Sequence, residues 1–205
     1  MNIQAISKAL AGHTPVTTPF RPERSRAAVA LILNEWQGET RLCFILRAER
    51  DGDPWSGHMA FPGGRADPGD ESARAVAERE TAEETGLELP GEALIAPLSE
   101  VPIRLWGRDV GMVLSPFVYR LEGEPAEFRF SHEVADAFWV PLDHLWDVAN
   151  AAEKQVSRMG ITVAFPAVAI GEHLLWGLTY RVLTQFSDLL DRPLPQLVTL
   201  PEGLI

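Results

Sequence analysis

The sequence predicts an α/β (α+β) fold, on two observations: short apolar runs of strand character recur along the chain, and segments with helical spacing interleave with them. An all-β chain does not alternate the two in this way. From the N-terminus, Ile3 to Leu10 has helical spacing, and Pro15 to Pro22 reads as an extended arm that delivers the chain to the core. Ala28 to Leu33 and Leu42 to Leu46 are strand-like, around Glu35-Trp36-Gln37-Gly38-Glu39 as a hairpin, and Met59 to Phe61 forms a short strand before Pro62 and a glycine turn. Next comes a helix that Asp70 or Ser72 can cap, with Glu71 facing the positive end of its dipole. Ala93 to Ser99 and Val110 to Leu121 read as paired strands joined by a polar loop with Arg104, Trp106, Arg108 and Asp109. Phe138 to Val140 adds a strand and Pro141 to Ala149 a short helix. Thr162 to Ile170 and His173 to Trp176 form a hairpin around Gly171-Glu172, and Leu178 to Leu190 is a closing amphipathic helix.

The 205 residues suffice for one substantial core and show no linker between two full domains. The expected organisation is a helix and arm over 1–27, a folded domain over 28–190 and a tail over 191–205. The longest apolar run, Ala27 to Leu33, is too short to span a bilayer, and no basic segment leads into an apolar stretch at the N-terminus, so no membrane partner and a cytoplasmic location are expected. Cys43 stands alone, which excludes an intrachain disulfide and thiolate zinc sites, and reads as a small buried residue of a strand. A net charge of −11 without a Lys/Arg cluster argues against a nucleic-acid partner.

The segment from Gly63 to Leu87 carries the chemistry. At about 100° per residue, Glu83 and Glu84 lie roughly −60° and +40° from Glu80, so three carboxylates share one helical face. Ala73, Val76 and Ala77 project into the same sector, so the glutamates continue a small apolar stripe. A solvated face would carry its charges opposite that stripe, and like charges four apart weaken a helix. The arrangement calls for a bound cation; a hard divalent ion takes carboxylates, waters and substrate phosphates as ligands.

The pattern Glu71, seven residues, then Arg79-Glu80-Thr81-Ala82-Glu83-Glu84-Thr85-Gly86-Leu87 resembles the signature box of the Nudix hydrolases. The resemblance implies a mixed β-sheet sandwiched between α-helices, and metal-dependent hydrolysis of a diphosphate linkage in a nucleoside diphosphate derivative. It implies that Glu80, Glu83 and Glu84, with Gly64 at the turn, form the site for Mg²⁺ or Mn²⁺. Arg79 holds a glutamate of the helix by a salt bridge, and Gly86 ends the helix. The catalytic set is then Glu83, Glu80, Glu84 and Arg79. Two departures stand out: six residues rather than five separate Gly64 from Glu71, and Thr81 occupies a position usually bulky and apolar.

A second stretch, Leu46-Arg47-Ala48 followed by Gly57-His58-Met59-Ala60-Phe61-Pro62-Gly63-Gly64, is similar to the extra motif of the coenzyme A pyrophosphatases within that family, and Leu175-Trp176-Gly177-Leu178-Thr179-Tyr180 resembles a further segment of the same branch. This resemblance spans about residues 28 to 190. It implies coenzyme A or an acyl relative as substrate, cleaved to 3′,5′-ADP and 4′-phosphopantetheine, with Arg47 and Arg65 near the diphosphate. Here too the chain departs: Asp53 stands where the motif has an arginine, and His58 where it has a glutamate. An acid in place of a cation weakens binding of a polyanion. Glu133, in a loop before a strand, matches the place where some relatives put an additional metal or base glutamate. His58 reads as structural, and Trp55 and Trp106 as covers of a core rather than site residues. ADP-ribose, dinucleotide polyphosphates and oxidised nucleotides are the alternative substrates, and a ligand sensor is the non-enzyme alternative; a homodimer is left open.

Overall fold

A computed structural model describes residues 1–20, 26–53, 55–105, 108–158 and 160–199. The centre is a mixed sheet built on β1 (Arg26–Trp36), which pairs antiparallel with β2 (Glu39–Arg47) and parallel with β7 (Arg108–Glu122). The β1–β2 loop has only two residues, since Trp36 pairs with Glu39. Gln37 (φ 53°) and Gly38 (φ 80°) both take positive φ, the conformation whose twist matches a tight hairpin. Two short strands, β3 (Met59–Ala60) and β4 (Gly63–Arg65), pair with β2 and β1 respectively; β5 (Leu94–Pro97) and β6 (Val101–Leu105) pair with β7, and β8 (Val134–Pro141) with β2. A second sheet is the antiparallel set β9 (Ala151–Arg158), β10 (Ile161–Ile170) and β11 (His173–Trp176).

Alternation along β1 places helices on both faces of the main sheet. Ala28 packs with Val76 and Ala77 of α2 (Ala73–Thr85), while Ala30 and Ile32 meet Leu87, Leu89 and Tyr119. On the other face, Leu31 and Leu33 share one core with Ile6 and Leu10 of α1 (Ile3–Leu10) and with Leu183 and Phe186 of α4 (Gly177–Leu189). A short α3 (Leu142–Trp146) follows β8. The small residues of α2 let it lie close to β1, which brings its glutamates to the sheet edge at β4. The N-terminal arm, as far as Phe20, is held by Arg26: its buried guanidinium binds Glu100, Ser115 Oγ at 3.2 Å and Thr18 Oγ1 at 2.6 Å, and Glu100 accepts the Thr18 N–H at 2.7 Å.

One expectation needs correction, and one strand was not foreseen. The polar loop expected between Ser99 and Val110 is mostly strand: β6 pairs with β7, and Val101 and Ile103 alternate inward to the core. Pro102 and the shortness of the run conceal its period-2 pattern. Trp106 lies outside the described residues. β9 carries no apolar run, and Glu153, Gln155 and Ser157 alternate outward at the free edge of its sheet, so the segment looks like loop in sequence although its register with β10 is continuous.

Candidate active site

Helix α2 is clamped at both ends. Ser72 accepts the Ala75 N–H on Oγ at 3.1 Å, and Gly86 (φ 72°) caps the C-terminus through its N–H to Ala82 O. Of the two cap candidates, Ser72 therefore serves; Asp70 is the anchor of Arg79. Arg79 donates Nε to Asp70 Oδ1 at 3.1 Å and Nη2 to Asp70 Oδ2 at 3.0 Å, a fork-to-fork contact. Its Nη1 lies 3.1 Å from Glu80 Oε1 and 3.3 Å from Glu83 Oε2, and Nη2 also donates to Arg65 O at 3.2 Å. The expected salt bridge to a helix glutamate exists, but it is one arm of a hub. The Arg79 hydrogen bonds hold the Asp70 carboxyl below the usual carboxylate range. Nothing in the sequence distinguished this role of Asp70 from capping, since both need only a carboxylate just before the helix. Glu71 is exposed.

Glu84 is 3% exposed, and its Oε2 accepts the Gly63 N–H at 2.8 Å. Burial, and then the charge of Glu80, push its carboxyl up to about 8 despite that hydrogen bond; Glu80 is raised too, mainly by burial. Gly64 is bare where a Cβ would strike the Glu80 carboxylate. Thr81, the unusual residue of the box, is buried with no partner for its hydroxyl among the described residues. Cys43 is buried in β2, and burial raises its thiol pKa, so it is inert core as expected.

The raised pKa of Glu84 has a consequence for the metal-free protein. Between about pH 4.5 and about pH 8 the folded chain holds a proton that the unfolded chain has released, so stability falls as pH rises through that window. Thermal melts in EDTA should show the parent losing stability over this range and Glu84→Gln losing less; parallel curves would mean that the burial is not felt.

Arg79, Glu80, Glu83 and Glu84 line one cavity of about 500 Å³ together with Arg47, Arg65, His58, Trp55 and Glu133. Arg47 Nη2 pairs with Asp53 Oδ2 at 2.8 Å, and Glu133 Oε1 accepts from Arg50 Nη1 at 3.2 Å. Arg65 is exposed, and among the described residues no carboxylate pairs with its side chain. The His58 ring packs on Trp176 with centroids 4.7 Å apart, and burial followed by the Lys154 charge holds it below the ordinary histidine pKa. Trp55 both lines the cavity and packs on the main core. The sequence reading missed the apolar floor, Ile103, Met112 and Leu114 from β6 and β7 with Leu178 and Val182 from α4, because these residues meet only in the folded chain. Thr179 Oγ1 donates to Met59 O at 3.1 Å, joining the two motif segments that lie over a hundred positions apart. Among the described residues, no three carboxylate, imidazole or thiol groups converge on one point: Glu80 and Glu83 turn toward Arg79, and Glu84 toward Gly63.

A carboxylate helix, laid by small residues on a mixed sheet and packed against Gly63 and Gly64 at one side of a cavity, defines a Nudix diphosphatase. The chain belongs to that family: the NUDIX domain model matches residues 23–159. It is 32% identical over 176 residues to the human (Homo sapiens) protein named mitochondrial coenzyme A diphosphatase NUDT8, covering 83% of this chain and 71% of that one. It is also 32% identical over 133 residues to the uncharacterized Nudix hydrolase NudL of Photorhabdus laumondii, covering 65% and 68%. The solved MutT/nudix family protein from Enterococcus faecalis shares the fold, with a TM-score of 0.57 at 17% identity over 93% of this chain and 70% of that one. Nudix hydrolases use divalent metal ions and act on nucleotide derivatives. Among the described residues, no helix is long and apolar enough to cross a membrane.

Proposed function

We propose that the chain hydrolyses the diphosphate of coenzyme A or an acyl-coenzyme A, releasing 3′,5′-ADP and 4′-phosphopantetheine. The observation that carries this reading is the convergence of the segments Gly57 to Gly64 and Leu175 to Tyr180 on one cavity wall, linked by the Thr179 to Met59 hydrogen bond. The likeness to a coenzyme A diphosphatase over most of the chain supports it. The hydrolase unit is taken as 28–190, with 1–27 and 191–205 as flanking segments, and the location as the cytoplasm; cell fractionation tests the latter against the mitochondrial name of the human relative.

The donor set fits Mg²⁺ or Mn²⁺. It consists of hard carboxylate oxygens: burial raises both Glu80 and Glu84, and neighbouring carboxylates add to it, Glu83 and Glu133 acting on Glu80, and Glu80 and Glu133 on Glu84. We assign Glu80, Glu83 and Glu84 to hold the ion, with Gly64 beside them, which lies in strand β4 rather than in the turn expected from the sequence. When bound there, it supplies charge neutralisation for the diphosphate and lowers the pKa of the attacking water. Hydrolysis joins the water oxygen to one phosphorus and breaks that phosphorus's bond to the bridging oxygen, leaving two phosphomonoesters. Arg79 keeps Glu80 and Glu83 in place, and Arg65, with no carboxylate partner among the described residues, orients the phosphates. Arg47, paired with Asp53, lines the same cavity as a second cation for the phosphates. Glu133, in the segment whose Ser131 N–H bonds Glu84 O, is assigned additional metal or base duty. The apolar floor excludes water beside the substrate.

The test is hydrolysis of a panel containing coenzyme A, acetyl-coenzyme A, ADP-ribose and a dinucleotide polyphosphate, with Mg²⁺ or Mn²⁺ and with EDTA. Coenzyme A or its thioester is expected to be cleaved at the diphosphate, and chelation to abolish turnover. A protein that ignores both coenzyme A compounds while cleaving ADP-ribose efficiently would overturn the substrate; undiminished turnover in EDTA would overturn the mechanism.

A further inference from the structure

The cations of the cavity are not equally available. Arg79 is spent on Asp70, Glu80 and Glu83, whereas Arg65 has no carboxylate partner among the described residues. Arg47 lies between these cases. Its Nη2 is held by Asp53 at 2.8 Å, yet its Nε is buried with no partner among the described residues and its side chain lines the cavity near Glu84. Asp53 is itself fixed: its side chain is 19% exposed, its Oδ1 accepts the Trp55 N–H at 3.0 Å, and its carbonyl accepts the Ser56 N–H at 3.1 Å. A carboxylate so held presents a competing anion to the guanidinium. A phosphate reaching Arg47 must displace it or share it.

We propose that Asp53 is a positioning residue that acts through Arg47, competing with the substrate's phosphates for this guanidinium, whereas Arg65 meets no such carboxylate among the described residues. This inference rests on the diphosphatase reading of the site. Its consequence is weak ground-state binding of polyanionic diphosphates, set by a side chain that touches no reacting atom. An ion pair in a partly exposed setting is weak enough for a doubly charged phosphate to outcompete, so Asp53 tunes affinity without blocking the site.

The experiment is a double-mutant cycle on the full chain with Mg²⁺. Asp53→Asn removes the charge but keeps an Oδ1 acceptor for the Trp55 N–H, so the loop is retained. It is expected to lower KM for the best substrate of the panel about three- to tenfold, with a smaller change in kcat, and to tighten calorimetric binding of ADP by a similar factor. In an Arg47→Gln background the same substitution should leave both quantities within about twofold. An equal gain in both backgrounds would mean that Asp53 acts on the substrate directly, and an unchanged or raised KM that it only braces the loop; either result overturns the proposal. ADP binding separates this inference from the reading beneath it: a parent that cleaves no diphosphate defeats the activity, while the ADP affinities still report whether Asp53 and Arg47 are coupled.

Discussion

Replacing Glu83 by Gln is expected to reduce turnover by about three orders of magnitude, roughly 4 kcal/mol of transition-state stabilisation, while the protein stays folded. The separation of the two effects follows from where the side chain sits. Glu83 is 59% exposed and its structural contact is the Arg79 guanidinium one turn away at 3.3 Å. An exposed pair at that spacing stabilises a helix by only about 0.3–0.5 kcal/mol. Arg79 also keeps its fork on Asp70 in the variant, so the hub survives. Circular dichroism and the melting temperature should therefore match the parent. Residual turnover above a tenth of the parent value would remove Glu83 from the metal-binding set.

The two glycines before the helix should behave differently although they are neighbours. In Gly63→Ala the new methyl group would overlap the Ala28 carbonyl oxygen and the Val29 Cα, both backbone atoms of β1, and the residue would have to keep φ at 142°. Backbone in the central strand cannot step aside, and L side chains rarely adopt that φ, so a loss of about 3 kcal/mol or more is expected. In Gly64→Ala the methyl group instead meets the end of the Glu80 side chain, which can rotate away. The fold should persist, with Glu80 driven out of its place beside Arg79 and turnover lowered at least tenfold. Denaturation curves and initial rates on both variants check this. Equal stability losses, or a Gly64→Ala enzyme with full turnover, would show that the close packing at the turn is not what these glycines serve.

Much of the chain was legible before any tertiary contact was known, because local signals agreed. α1 occupies the span that its periodicity predicts, Ile3–Leu10, and the two-residue turn at Gln37-Gly38 was marked by the apolar runs on either side. Likewise, a spacing of three and one among Glu80, Glu83 and Glu84 places three carboxylates on one face of any helix, whatever surrounds it. Gly86 at the helix end follows from the same local geometry. What failed was the strand β9, whose stability comes from pairing with β10 rather than from its own residues, and β6, whose alternation is too short to stand out.

The sequence by itself determined the α/β class, the carboxylate face, the inert cysteine and the family, since each depends on residue type and spacing along one segment. Only the tertiary structure decided how the charges are shared. It assigned Asp70 to Arg79 and Ser72 to the helix cap, it buried Glu84 against the Gly63 N–H, and it bound Asp53 to Arg47. Capping and ion pairing call for the same residue types at the same spacing. The choice between them rests on desolvation and on distances across segments, which exist only once β4, α2 and the loop before β3 have packed together.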